Sequence, residues 1–345
     1  MQLSIQSDIA VSPPGHVIPA FKLIYKELMQ VSELVRVQLA GCPTREGIGQ
    51  LTERLNSGTG KMIRPGLVLL SERVVRDARC EGATHSRGDD AVRAAAIVEM
   101  IHNAALLHDD VIDEGQKRRG RPTVNRLWGN ESAVVLGDFL LSRVFMMCAD
   151  LEPELQRIIA AATARTCEGE LRQISQRGNW QISEGEYIEI VTEKTAALFA
   201  ACCHLGALLG GAGEKEIEGQ TAFGLNAGIA FQITDDLLDI TGDEKKTGKT
   251  LGSDICKSKP TLAVIHLLVA ADEKERNIVK KKLIAGEISR KALTEMLMLH
   301  GSLDYARRRA EEFTAKAVLL LGVLKESSAR DALIEAAGFI GRRAV

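Results

Sequence analysis

Two short runs of aspartate are the part of this chain best suited to chemistry. Asp109-Asp110-Val111-Ile112-Asp113 and Asp235-Asp236-Leu237-Leu238-Asp239 repeat one pattern, Asp-Asp-x-x-Asp, each at the end of an apolar stretch. On a helix the first and last Asp of each run share a face, and the middle one points about 100° away. Like charges at that spacing cost a helix about 0.2–0.5 kcal/mol per pair. They also sit at the C-terminal, negative end of the helix dipole. Helix stability does not account for them; a bound cation does. Carboxylates without His or Cys suit Mg²⁺, which keeps several waters and is completed by substrate phosphates. A single cluster of this kind reads as well as a solvated acidic face. Two facing clusters suggest a diphosphate bridged by several Mg²⁺ ions. His108, beside the first run, reads as an orienting or core group rather than a ligand.

Phosphate would also need fixed cations. Lys117-Arg118-Arg119-Gly120-Arg121 follows the first cluster directly, in a loop whose guanidinium forks suit phosphate oxygens. Upstream, Gly58-Thr59-Gly60-Lys61-Met62-Ile63-Arg64 places two cations at a helix start, without the residue order of a P-loop. Lys194-Thr195 lies inside a helix. Lys249 and Lys259 follow the second cluster, and residues 242–254 read as a lid able to exclude water. Taken singly, each basic group reads as a surface charge. Beside two acidic clusters they read as a phosphate cradle.

The elements that must position these groups are helices. Apolar residues recur at threes and fours over 17–40, and further helices read at about 44–57, 64–79, 91–114, 131–150, 153–177, 184–211, 215–241, 260–285, 289–299, 302–322 and 327–340. Residues 80–90 read as a polar loop, and no alternating strand pattern stands out. Helices that feed one central site imply a single all-α bundle over residues 17–345, preceded by a loose arm over 1–16. Composition agrees: of 345 residues 45% are hydrophobic and only 4% aromatic, so a helical core is favoured over a β-sandwich. A net charge of −2 lacks the basic footprint of a nucleic-acid binder. Seven cysteines without zinc spacing, no secretory signal and no long apolar run point to reduced thiols in a cytoplasmic protein.

Taken together, Asp109-Asp110-x-x-Asp113 with Arg118-Arg119-Gly120, and Asp235-Asp236-x-x-Asp239 with Gly248-Lys249 and Lys259-Pro260-Thr261-Leu262, resemble the trans-isoprenyl diphosphate synthases, particularly the long-chain type. The resemblance spans roughly residues 55–265 and implies the isoprenoid synthase fold, a homodimer and about three Mg²⁺ per active site. It implies that Asp109, Asp110 and Asp113, with Asp235, Asp236 and Asp239, bind the metal ions. Arg118, Lys194, Thr195, Gln232, Lys249 and Lys259 would meet an allylic diphosphate, and Lys61, Arg64, His102 and Arg119 would hold isopentenyl diphosphate. Two local departures are Thr59-Gly60-Lys61-Met62, where the family often has Gly-Gly-Lys-Arg, and Ala263, where Pro often follows Thr-Leu.

Product length is also expected from the resemblance. Short-chain members carry bulky aromatics at the fifth and fourth positions before the first cluster, where this chain has Ala104 and Ala105. An open tail channel past Ala104, Ala105, Ile101, Val98 and Ile97, with Phe145 or Met146 as floor, implies a product of seven or more isoprene units. Such a product would pass to the membrane, as for a quinone side chain. A terpene cyclase would bind only one diphosphate and so would not need Lys61 and Arg64. A non-catalytic subunit should have lost acidic residues, and none is missing. An inert helical scaffold leaves the clustered charges unexplained.

Overall fold

The computed structural model describes residues 18–40, 61–79, 88–118, 120–243 and 251–341. The loose arm expected at 1–16, the helix expected at 44–57, Arg119 and Lys249 lie outside the described residues. A 3-10 turn, Pro19–Ile24, leads into α1 (Tyr25–Ala40), followed by α2 (Ile63–Asp77) and α3 (Gly88–Ile112). Then come α4 (Val124–Cys148), α5 (Pro153–Ser175), α6 (Glu184–Val191), a π-helical turn Thr192–Ala196, α7 (Ala197–Leu209) and α8 (Glu214–Thr241). The chain ends with α9 (Ser253–Cys256), α10 (Leu262–Ala270), α11 (Glu273–Ala285), α12 (Arg290–Leu299), α13 (Ser302–Leu320) and α14 (Ser328–Gly341).

The expected boundaries shift where local chemistry outweighs periodicity. The helix expected at 131–150 is preceded by a short helical turn that starts at Val124. Gly129 breaks the run between them with φ +86°, but the turn before that kink stays helical because Val124 is sealed in the core. The span 260–285 divides at Asp272, whose side chain accepts the Glu275 amide at 2.8 Å and starts α11 as an N-cap. Ser183 and Glu186 form a reciprocal capping box at the start of α6. The loop after the first cluster is a small antiparallel hairpin, with Lys117 opposite Pro122 and Arg118 opposite Arg121. Gly120, at φ +76°, supplies the left-handed residue this tight reversal needs.

Packing divides into two apolar clusters. The first joins α1–α5, α7 and α14 around α3, with Phe21, Leu67, Leu70, Met100, Leu140 and Leu205 fully enclosed. The second joins α6, the C-terminal half of α8 and α10–α13. Each large side chain buried this way contributes about 1.5–3 kcal/mol. The long helix α3 therefore runs through the first core and α8 through both, Phe223 and Ala227 in the first and Ile229 to Ile240 in the second, and each emerges at an acidic end. Among the described residues, no helix is long and apolar enough to cross a membrane.

Candidate active site

The first acidic cluster is held by cations. α3 is wholly buried over Ala94–Val98, which anchors its axis, and its last turn carries the carboxylates. Asp110 turns inward, 7% exposed, and both its oxygens accept the Arg118 Nε at 3.0 Å, while Oδ1 also accepts Nη2 at 2.7 Å. The hairpin thus folds Arg118 back onto the helix before it. The Asp110 carboxylate thereby anchors Arg118. Asp113 accepts Arg177 Nη2 on one oxygen at 2.8 Å and Lys259 Nζ on the other at 2.6 Å. Burial raises the Asp109 carboxyl above the usual range; Lys194 pulls against that rise and Glu170 adds to it.

In the second cluster, Asp236 and Asp239 are held by neutral donors. Asp236 accepts the Tyr187 hydroxyl at 2.7 Å and the Gln232 amide at 2.7 Å, and the Gln232 oxygen accepts the Thr195 hydroxyl at 2.7 Å. That chain fixes which way the Gln232 amide faces. Asp239 accepts the Ser253 hydroxyl at 3.1 Å and the backbone amides of Ser253 and Asp254 at 3.3 and 3.1 Å, so α9 docks on the end of α8. Burial pushes the Asp236 carboxyl up to about 6, and it raises Asp239 as well. The clusters share a field across Arg118. Burial opposes the Arg118 charge, but Asp110, Asp109 and Asp235 outweigh it and hold its pKa above the usual value.

The remaining expected residues divide by place. Lys194 sits in the π turn, ion-paired with Glu170 and donating to Gln173 at 2.8 Å. π turns widen a helix locally and recur at functional sites. α5 approaches this turn through Gly169, where any Cβ would collide with the Lys194 backbone nitrogen. Thus Thr195, Gln232, Arg118 and Lys259 each contact one of the two clusters or a residue bonded to it, and Lys194 acts on Asp109 through its charge. Arg64 stacks 4.9 Å from the Phe199 ring and 6.0 Å from Phe231, and Lys61 lies 4.8 Å from the Phe339 ring on α14. His102 is half-buried on α3.

Along that helix, Ala105 shares the Asp109 face at four-residue spacing and is half-buried, whereas Ala104, Ile101, Val98 and Ile97 are enclosed in the first core. Phe145 and Met146 correct the expectation directly. They stand 71% and 62% exposed on the outer side of α4, so they floor no channel within this chain. Glu170, Gln173, Arg177 and Tyr187 have no place in the sequence motifs. Only the three-residue spacing of Glu170 and Gln173 on α5 could have marked a shared polar face.

Among the described residues, no three carboxylate, His or Cys groups converge as a closed metal cage. The chemistry of the cluster side chains, hard carboxylate oxygens at Asp109, Asp113, Asp235 and Asp239, suits Mg²⁺, which takes one or two carboxylates and fills its remaining positions with water and phosphate.

A sequence profile for polyprenyl synthetase matches residues 45–298. An octaprenyl diphosphate synthase of Haemophilus influenzae is 35% identical over 321 residues, which cover 92% of this chain and 94% of its own. A short chain isoprenyl diphosphate synthase of Methanothermobacter thermautotrophicus is also 35% identical, over 334 residues covering 92% of this chain and 99% of its own. Equal identity to proteins of different product class leaves chain length open. Among solved structures, a polyprenyl synthase from Caulobacter crescentus complexed with calcium and isoprenyl diphosphate matches with a TM-score of 0.86 at 30% identity, covering 94% of this chain and 97% of that one. The chain therefore belongs to the polyprenyl synthetase family, an all-helical family of prenyltransferases.

Proposed function

We propose that this chain is a Mg²⁺-dependent enzyme that condenses isopentenyl diphosphate head-to-tail with an allylic diphosphate to make a long all-trans polyprenyl diphosphate. The observation that carries the reading is the shared electrostatic frame of the two clusters: Arg118 is bound to Asp110 and feels both Asp109 and Asp235. Divalent ions, held by Asp109 and Asp113 on one side and Asp235 and Asp239 on the other, would neutralise charge developing on the leaving diphosphate. Arg118, Lys194, Thr195, Gln232, Lys249 and Lys259 orient the allylic diphosphate. Lys61, Arg64, His102 and Arg119 hold isopentenyl diphosphate. The allylic C–O bond ionises, the homoallylic double bond attacks the allylic cation, and the released diphosphate accepts the proton lost. Fixed donors aimed at a developing charge are the strongest catalytic device available here. The apolar wall of α3 keeps water from the cation.

A long product follows from Ala105, whose methyl leaves the Asp109 face of α3 open one turn below the cluster. Each buried methylene favours elongation by about 0.8 kcal/mol, so only a wall stops growth. Residues 17–345 act as one domain after the 1–16 arm, in the cytoplasm, and the product passes to the membrane for a quinone side chain. Val135, Phe145 and Met146 form an exposed apolar face on α4 that supports a homodimer, which sedimentation at rising concentration would detect.

The decisive experiment is mass analysis of products from isopentenyl diphosphate and several allylic starters, with EDTA and then Mg²⁺ added. Activity is expected to vanish with EDTA and return with Mg²⁺, with products of seven or more units. Ala105→Phe should shorten them to fifteen or twenty carbons. Turnover that survives EDTA, or a wild-type product of fifteen carbons, overturns the corresponding part of the reading.

A further inference from the structure

Arg177 belongs to none of the motifs, yet it holds a carboxylate of the first cluster. It lies just past α5, in a turn whose next residue, Gly178, donates its amide to the Ser258 carbonyl at 2.8 Å. This backbone bond joins the α5–α6 turn to the segment after the second cluster. Three cations reach the end of α3 from that joint. Arg177 and Lys259 take the two oxygens of Asp113, at 2.8 and 2.6 Å, and Lys257 meets Glu114 at 3.0 Å. The Arg177 and Asp113 side chains are only 26% and 24% exposed, so their pairing is shielded from the screening that weakens a surface bridge.

A carboxylate held this way is aimed before any metal arrives, but its pull on a divalent ion is reduced by the cations beside it. We propose that Arg177 is a positioning residue for Asp113: it aims the carboxylate and limits how tightly the cluster takes up its divalent ion. The inference rests on the proposed metal role of the clusters. It makes two effects of opposite sign. Removing the guanidinium should tighten metal binding, because charge is left uncompensated, and should slow turnover, because the aim is lost. A merely structural residue would weaken both.

The test uses the full chain with Mn²⁺ as probe, bound Mn²⁺ being read by electron paramagnetic resonance in the presence of inorganic diphosphate without any prenyl substrate. Arg177→Gln should bind Mn²⁺ about fivefold tighter while kcat at saturating metal falls about tenfold or more. In an Asp113→Asn background the same change should leave Mn²⁺ affinity unaltered. Arg177→Lys keeps the charge without the fork, so its Mn²⁺ affinity should stay within about twofold of wild type while kcat is intermediate. This variant carries the test if Arg177→Gln loses its helical circular dichroism. Weaker Mn²⁺ binding in either variant, or unchanged binding and turnover in both, overturns the inference. Asp235→Asn separates the two levels. If it too leaves Mn²⁺ binding unchanged, the metal reading itself fails; if it weakens binding while Arg177→Gln does not tighten it, only the role of Arg177 fails.

Discussion

The two acidic clusters share one sequence pattern and are held in opposite ways. Asp110 and Asp113 are bound by Arg118, Arg177 and Lys259, so the charge at the end of α3 is largely compensated. Asp236 and Asp239 are bound by a phenol, an amide, a hydroxyl and two backbone amides, which orient them without cancelling their charge. Hydrogen bonding alone does not offset burial there, and Asp236 is pushed up to about 6. The lesson is that identical motifs can be held differently: Asp110 and Asp113 arrive with cations built in, whereas Asp236 and Asp239 are oriented by neutral groups.

The largest expected effect tests whether both halves are needed. Asp109→Ala and Asp235→Ala should each lower kcat by about a thousandfold or more, since each removes stabilisation made only as the leaving group develops charge. Steady-state rates alongside circular dichroism would check this, and wild-type turnover in either variant breaks the comparison at its root. A smaller effect separates the two substrates. Lys194→Ala removes a charged contact of about 1.5–3 kcal/mol and should raise the KM for the allylic diphosphate about tenfold to a hundredfold. Lys61→Ala and Arg64→Ala should act instead on the KM for isopentenyl diphosphate. Equal shifts in both constants would count against the assignment.

The contrast in titration is subtler. Asp236 has a folded pKa of about 6 against an ordinary 3.8. Between those values the folded carboxyl keeps its proton and the unfolded one loses it, so its contribution to stability is present at low pH and is lost as pH rises through about 6. With EDTA present, unfolding free energies from urea titrations should therefore fall across that window by at most roughly 3 kcal/mol from this group. Asp236→Asn should flatten that slope, and a slope equal to wild type's would show that the second cluster is better compensated than its contacts indicate. The smallest change is Tyr187→Phe. Losing one hydrogen bond to Asp236 should cost about 1 kcal/mol and push its pKa higher still; chemical denaturation and a pH titration of stability would read both, and an unshifted pKa would remove Tyr187 from the account.

Much of this molecule was legible locally. Helices α3 and α8 announce themselves by their mostly apolar stretches, and the four-residue spacing of Asp109 and Asp113, or Asp235 and Asp239, places each pair on one face whatever surrounds it. Caps and breakers were partly legible too. Asp272 divides a long apolar span because its side chain satisfies an amide three residues on, a contact that periodicity does not weigh. The π turn at Thr192–Ala196 was not readable, because it depends on α5 closing in at Gly169. Nor was the outward turn of Phe145, whose helix offers several apolar faces and only one core.

The chain's own order determined the all-helical class, the positions of the two clusters and which residue types stand near them, because helix formation and carboxylate spacing are set by neighbours within a turn. Tertiary structure alone decided which carboxylate serves which partner. Asp110 faces Arg118 eight residues on, but Asp113 meets Arg177 64 residues away and Lys259 146 residues away. Ion pairs over such distances follow from how helices pack and where their connecting turns come to rest. Charge attracts any opposite charge, so a sequence rich in both signs leaves the pairing open until the fold closes.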